Sequence, residues 1–529
     1  MTKLLTFPDG FLWGAATSAP QTEGGYDEDG KALTIFDRWS LDRPQDFYEE
    51  VGSLEASDVY HRYVEDVKLM ADVGMNSYRT SISWARLLPD GKHVNPKAVI
   101  FYNDLIDKLL ANHVQPLMNL FHYDMPVLMQ DKGGFLNREV VDDFVHYAET
   151  AFSLFGDRVK LWSTFNEAKA QPYGGYLSNG QPDGYPPFHH NAVEAAQVMA
   201  HLILITAMCT ERFKQIVPDG RIGLIEDSVP QIAGDDSAET QTAVAMLDAL
   251  RNRVLLDPAT KGTTHPLVSQ FLRETGLQPV LTPEERNCIH QNTVDFVGLT
   301  YYRPERVKAP SVHYRDIADR TQIDLENVGI EVHPEGVRMN TSRGWEIRPE
   351  CVYDIAMDMK NNYNNMPWFL AENGMGVEGE SDNIGGTGST LGLIIAIFIV
   401  GRQSQQYKTM AKLTLVPGIF GINEPLIFGL PIVLNPILFI PFVFGPTITS
   451  GVYFALINAH IIPNIPITIP WTTPPFLNTF LASGGQIIAP IVQLLCLAFC
   501  TLLYIPFVKV AVEAERKEML DREAEVKAA

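Results

Sequence analysis

Between Pro425 and Val508 the chain has no Asp, Glu, Lys or Arg, and His460 is its single imidazole there. A water-soluble domain of that length needs a charged surface, so this stretch is expected to fold against lipid. The chain is therefore read as two unlike units, 1–380 and 381–529. Its charge divides the same way: the net value is −22, yet from Ser381 to Ala529 basic and acidic residues balance at eight each. Residues 1–380 carry the whole acidic excess, which argues against nucleic-acid binding, since phosphate contacts need Lys and Arg.

In the C-terminal unit, helical spans are expected at Ile384–Val400, Leu434–Ala459 and Gln486–Val508. The Pro- and Gly-rich Val416–Pro431 and Ile461–Gly485 read as re-entrant or broken helices lining a cavity. Glu424 is the lone acid there, a functional candidate if it sits at membrane depth and a headgroup contact if it does not. Arg402, Lys408 and Lys412, and the basic residues from Lys509, belong on the cytoplasmic side. Two spans between them satisfy that. A crossing at 384–400 would then place the N-terminal unit outside, although Met1–Gly10 has no signal-peptide pattern. The expected placement is a multi-pass membrane protein, touching membrane lipid, with residues 1–380 in the cytoplasm. The tail from Glu513 reads as a solvated helix. Five cysteines without metal-ligand spacing suit a reducing compartment, and Cys496 and Cys500 read as buried helix-face thiols.

The first 380 residues alternate short apolar runs with longer amphipathic segments. The runs are Phe11–Ala16, Ser77–Trp84, Gln115–His122, Leu161–Glu167, Arg221–Asp227, Asp295–Tyr302 and Trp368–Glu372. Ala56–Val73, Pro96–Asn112, Arg138–Phe155 and His190–Ile216 carry the helical period. This alternation predicts an α/β fold with a parallel sheet, and at this length a (β/α)8 barrel of which about seven strands are present.

Four of these runs end in reactive side chains: His122, Asn166 with Glu167, Tyr301 with Tyr302, and Glu372. Any one of them could merely start a loop. Four in succession point to a pocket at the C-terminal rim. Two carboxylates on different strands, Glu167 and Glu372, suggest glycoside hydrolysis, one attacking and one protonating if they stand about 5–5.5 Å apart. Arg79 could hold the nucleophile charged or could be an ion pair of the barrel floor.

Several segments resemble glycoside hydrolase family one, the family of β-glucosidases and 6-phospho-β-glucosidases. They are 11–19, Gln21 with Glu23-Gly24, Tyr78-Arg79 to Arg86, Phe121 to Pro126, Thr164 to Glu167, Gly344 to Ile347, and Glu372-Asn373-Gly374. The resemblance implies Glu167 as acid/base, Glu372 as nucleophile, and retention through a covalent glycosyl-enzyme. It implies Asn166 on the sugar 2-hydroxyl, Gln21 and His122 on the far hydroxyls, and Tyr302 and Arg79 supporting Glu372. No metal or cofactor is implied. Tyr123, Thr300 and Ala371 depart from the common Trp, Asn and Thr at their positions.

The larger departure is an absence. The family continues past Glu-Asn-Gly to an eighth strand, its helix and the loop that carries phosphate-binding residues in the phospho-specific branch; here Met375–Glu380 leads straight into Ser-Asp-Asn-Ile-Gly-Gly. An open barrel exposes two strand edges. At about 1–3 kcal/mol per unsatisfied buried group, several such losses rival the ~5–15 kcal/mol stability of a domain. Weak stability and impaired activity are expected unless something closes the gap.

The C-terminal unit resembles the last third of the sugar-transporting enzyme IIC of the lactose/cellobiose phosphotransferase system. Asn383 to Thr390, Val416-Pro417-Gly418-Ile419-Phe420, Asn423-Glu424-Pro425 and Pro470 to Pro475 carry this likeness. It implies Asn423 and Glu424 as sugar contacts in a re-entrant hairpin, and other phosphotransferase components as partners. The reading is a fusion of two incomplete sugar-uptake proteins that hydrolyses a 6-phospho-β-glucoside or β-glucoside. The alternatives are a transporter fragment with a vestigial hydrolase head, or a non-functional product of a deletion or assembly join.

Overall fold

The computed structural model describes residues 7, 10–47, 50–178, 184–334, 336–340, 344–374, 389–420, 422–430, 432, 435–459, 461–462, 473–483 and 485–528. The junction at 375–388, His460 and residues 463–472 lie outside the described residues. The chain forms two compact units, Met1–Met375 and Gly376–Ala529.

Among its described residues the first unit holds ten strands, β1 Gly14–Ala16, β2 Ser77–Ser81, β3 Gln115–Asn119, β4 Leu161–Asn166, β5 Arg221–Asp227, β6 Gln231–Ala233, β7 Phe296–Tyr301, β8 Glu305–Lys308, β9 Ile330–Glu331 and β10 Trp368–Asn373. Seven make one sheet in the order β1-β2-β3-β4-β5-β7-β10, and every pairing is parallel. The other three form a small separate sheet. All seven apolar runs are therefore strands, although most stop short of the reactive residue that follows. The polar tips His122, Glu167 and Tyr302 lie just beyond their strands, at the rim.

The helices form because their apolar residues share one face and their ends are capped. Arg138–Phe155 buries Val140, Val141, Phe144, Tyr147, Ala148, Ala151, Phe152 and Phe155, and Asn137 caps its first turn. Each such large side chain contributes about 2–3 kcal/mol of burial. Inside the barrel a smaller cluster joins Leu117, Ile225 and Phe296, with Phe369 and Ala371 half-buried beside them. Gly223 and Gly298 make room for it: a Cβ on Gly223 would lie 2.4 Å from the Phe296 ring, and one on Gly298 2.7 Å from Ile225 Cγ1.

The sheet is curled but not closed. Arg79 on β2 reaches Glu372 on β10, at the far end of the strand order. Among the described residues β1 and β10 nevertheless pair on one side only. The consequence shows in burial: all six residues of β7 are buried, whereas none of β10 is.

The second unit is helical in its described residues: Thr390–Val400, Gln405–Ile419, Glu424–Gly429, Pro436–Asn458, Leu477–Ala482 and Ile488–Ala528. The expected last span and the expected separate tail are one continuous helix, because nothing between Val508 and Glu513 breaks it. Thr390–Val400, the described part of the first expected span, has 11 residues and rises about 16 Å, short of the ~30 Å of a bilayer core. Two described helices are both long and apolar enough to cross a membrane, Ala192–Ile216 and Ile488–Lys517. They differ in burial, 67% against 39%. Ala192–Ile216 is a core helix of the barrel, while the other exposes Leu495 and Leu502.

Candidate active site

Both predicted carboxylates follow a β-bulge. On β4, Ser163 pairs with Gly223 and Asn166 with Ile225, three residues against two. On β10, Leu370 pairs with Leu299 and Glu372 with Thr300, so Ala371 is the extra residue. Such bulges bend a strand end and re-aim the side chain after them.

Arg79 is the hub. It is nearly fully buried, and its Nη2 donates to Glu372 Oε1 and to Asn166 Oδ1 at 3.1 Å. Its Nη1 donates to Thr17 O at 2.9 Å and to His122 Nδ1 at 3.3 Å. Arginine can only donate, so His122 Nδ1 carries a lone pair and the ring is neutral. Burial and then the Arg79 charge hold the imidazole well below its ordinary pKa.

The end of β7 reaches both acids. Thr300 Oγ1 donates to Glu167 Oε1 at 2.6 Å, and Tyr302 OH donates to Glu372 Oε2 at 2.6 Å. Thr300 lies near the end of β7 and Tyr302 directly follows it, so one strand end contacts both carboxyl groups. Tyr123 OH donates to Glu167 Oε2 at 2.5 Å. Tyr123 and Glu167 both adopt left-handed backbone conformations, with φ of 67° and 50°. Strain of that kind, about 1–3 kcal/mol each, collects where geometry serves chemistry.

The environments separate the acids. Burial, followed by the negative charge of Asp227 and a smaller contribution from Glu372, pushes the Glu167 carboxyl up to about 7 against the pull of its two hydroxyl donors. Glu372 instead receives a guanidinium and a phenol.

The site opens into a cleft of about 1360 Å³, lined among others by Gln21, His122, Glu167, Asp227, Tyr302 and Trp345. Gln21 is exposed there, and its Oε1 accepts from Ser18 Oγ at 2.6 Å. The first unit thus brings together Arg79, His122, Asn166, Glu167, Tyr302 and Glu372. Asn423 and Glu424 belong to the other unit: Asn423 is buried and Glu424 opens a short helix, its side chain outside the described residues.

Three residues were missed. Tyr123 and Thr300 stood out only as departures from a pattern, yet both hydroxyls bond Glu167. Asp227 ends β5 as Glu372 follows β10's apolar run, so the strand-end argument applied to it equally. Lys169 Nζ lies 3.9 Å from its Oδ2.

Residues 4–389 match the profile of Glycosyl hydrolase family 1. The chain belongs to glycosyl hydrolase family 1. It is 41% identical over 380 residues to the 6-phospho-beta-glucosidase GmuD of Bacillus subtilis, a match spanning 72% of this chain and 80% of that protein. A 6-phospho-beta-galactosidase of Clostridium acetobutylicum is 34% identical over 384 residues, with 70% and 79% covered. Among solved structures, a family 1 b-glucosidase from Thermotoga maritima superposes with a TM-score of 0.64 at 31% identity, covering 72% of this chain and 82% of that one. Residues 358–446 match the Phosphotransferase system, EIIC profile, overlapping the end of the hydrolase match. The family 1 hydrolase is therefore joined to an EIIC segment. The barrel fold, the O-glycosyl hydrolase class and the fusion expected from the sequence all stand.

Proposed function

We propose that this family 1 hydrolase cleaves a β-glucoside or 6-phospho-β-glucoside with retention, through Glu167 and Glu372. The observation that carries it is the Arg79 hub, which ties the nucleophile candidate to Asn166 and His122.

Glu372 attacks the anomeric carbon as the glycosidic C–O bond breaks, while Glu167 delivers its proton to the leaving oxygen. A raised pKa suits that donor. Water then attacks the glycosyl-enzyme ester, Glu167 takes a proton from it, and Glu372 leaves as carboxylate. Asn166 Oδ1 accepts from Arg79, so its NH2 is the group offered to the sugar 2-hydroxyl. Gln21 and neutral His122 supply donors and acceptors for the remaining hydroxyls. Tyr302 and Arg79 position Glu372.

The Bacillus subtilis and Clostridium acetobutylicum relatives are 6-phospho-glycosidases by name, which supports a phosphorylated sugar, as does the EIIC match. Turnover of p-nitrophenyl β-glucoside and of its 6-phosphate tests this. A lower KM for the phosphate supports the phosphorylated substrate; equal KM values leave the free glucoside.

The second unit belongs in lipid in this reading, crossing more than once with the barrel in the cytoplasm, and meets other phosphotransferase components. The large exposed apolar side chains Leu495, Leu502 and Val510 support lipid contact. Retention of the chain in membranes after alkaline extraction is the expected result; release into the supernatant would count against it. Asn423 and Glu424 as transporter sugar contacts would show as sugar binding that survives Glu372→Gln and is lost in Asn423→Ala.

A further inference from the structure

We infer that Lys169 is a positioning residue for the proposed acid: its ammonium group anchors the end of β5 and balances the charge of Asp227, the carboxylate that shares the cleft with Glu167. Lys169 stands two residues after Glu167, at the start of the helix Ala170–Tyr176, and is 3% exposed. A buried ammonium group is costly unless it is paired and hydrogen-bonded, so its contacts carry weight. Nζ donates to the carbonyl oxygen of Asp227 and, at 2.6 Å, to that of Arg251. It also stands 3.1 Å from Glu226 Oε1 and 3.9 Å from Asp227 Oδ2. One side chain thus joins three segments: the turn after β4, the end of β5 and the π-helical turn Ala249–Arg253.

Lys169 reaches the acid through Asp227. Asp227 pairs in register with Thr300, whose Oγ1 donates to Glu167 Oε1, and Lys169, Asp227 and Glu167 all line the cleft. Of the two carboxyl groups beside Lys169, Glu226 is buried, and that burial pushes it up to about 8. Near neutral pH it is protonated, which leaves Asp227 to answer the Lys169 charge. Burial pushes Asp227 up as well; Lys169 first and Arg251 next pull it back toward ionisation, with Glu305 opposing and Arg303 assisting. Both arginines also contact Glu305, at 3.2 and 3.4 Å, so Lys169 is the cation that answers Asp227 most directly. Glu167 for its part faces Asp227, Glu372 and the hydroxyls of Thr300, Tyr123 and Tyr302. Without the Lys169 charge Asp227 takes up a proton more readily, its push on Glu167 weakens, and Glu167 ionises at lower pH.

The role rests on the reading of Glu167 as proton donor, and the test keeps the two apart. In the full chain in detergent, Lys169→Gln keeps a donor for the carbonyl oxygens but not the charge. The alkaline limb of kcat/KM for p-nitrophenyl 6-phospho-β-glucoside should then move down by roughly one pH unit, the scale of one neighbouring charge. In an Asp227→Asn background the same substitution should lower the limb no further, because the group through which Lys169 acts is already neutral. Lys169→Met, uncharged and close to the original length, should shift the limb alike, which exposes a packing defect peculiar to either variant. Infrared difference spectroscopy follows the same titration without turnover, through the carboxyl band that Glu167→Gln removes. A limb that stays or rises in Lys169→Gln, or a full further drop in the Asp227→Asn background, would overturn the proposal. A parent chain that turns over no p-nitrophenyl glucoside while the infrared titration shifts as expected would uphold the role of Lys169 and count against the hydrolase reading.

Discussion

The two strands that carry the acids use the same device with unequal support. β4 and β10 each gain one residue just before the carboxylate, and each bulge turns that side chain into the rim. β4 then lies between β3 and β5, is almost wholly buried, and its acid is fixed by two hydroxyls and a backbone bond from Glu167 N to Ile225 O at 2.8 Å. Among the described residues β10 has β7 on one side and no strand on the other, and Glu372 depends on Arg79 and Tyr302 alone among the described contacts. Glu167, the proposed acid, is over-determined, and Glu372, the proposed nucleophile, is not. In the proposed mechanism the unequal support falls on one half, and perturbing the partners of Glu372 should cost more than perturbing those of Glu167.

Arg79→Met gives the largest expected effect among those partners. Removing a preorganised charge next to the reacting carboxylate should lower kcat by about 10²–10³-fold, read from steady-state kinetics. Tyr302→Phe removes a single hydrogen bond to a charged group, so a loss of roughly 10–100-fold in kcat is expected. Thr300→Val takes one donor from Glu167 and leaves Tyr123, and a loss of about fivefold or less should result. A Thr300→Val effect as large as that of Tyr302→Phe would break the asymmetry. The smallest change is a shift in pH dependence. Glu167 must be protonated to donate, so activity should fall as pH rises through about 7. Asp227 raises that pKa by its negative charge, so Asp227→Asn should move the alkaline limb to lower pH. A limb that stays in place would remove Asp227 from the electrostatics of the acid.

Much of this was legible because a parallel barrel writes itself as short apolar runs with polar tips. Arg221–Asp227 and Arg138–Phe155 have the same bounds in sequence and structure. The bulges were not legible, since one extra residue in a buried strand leaves an apolar run unchanged in character; Ala371 looked like a mere replacement. Asp227 ends a strand, but its effect on Glu167 is electrostatic and depends on a proximity that only the folded sheet creates. In the second unit, the change from apolar to charged residues near Val508 was read as a boundary, but a helix needs no apolar continuity to continue. Thr390–Val400 is the reverse case, where apolar character suggested a crossing that its described length does not reach.

The most direct test compares the full chain in detergent with its Glu372→Gln variant, measuring turnover of p-nitrophenyl β-glucoside and of its 6-phosphate. The account predicts measurable turnover of one of them by the parent chain and a loss of at least about 10⁴-fold in the variant, the scale of removing a nucleophile. Equal rates in the two proteins would contradict it.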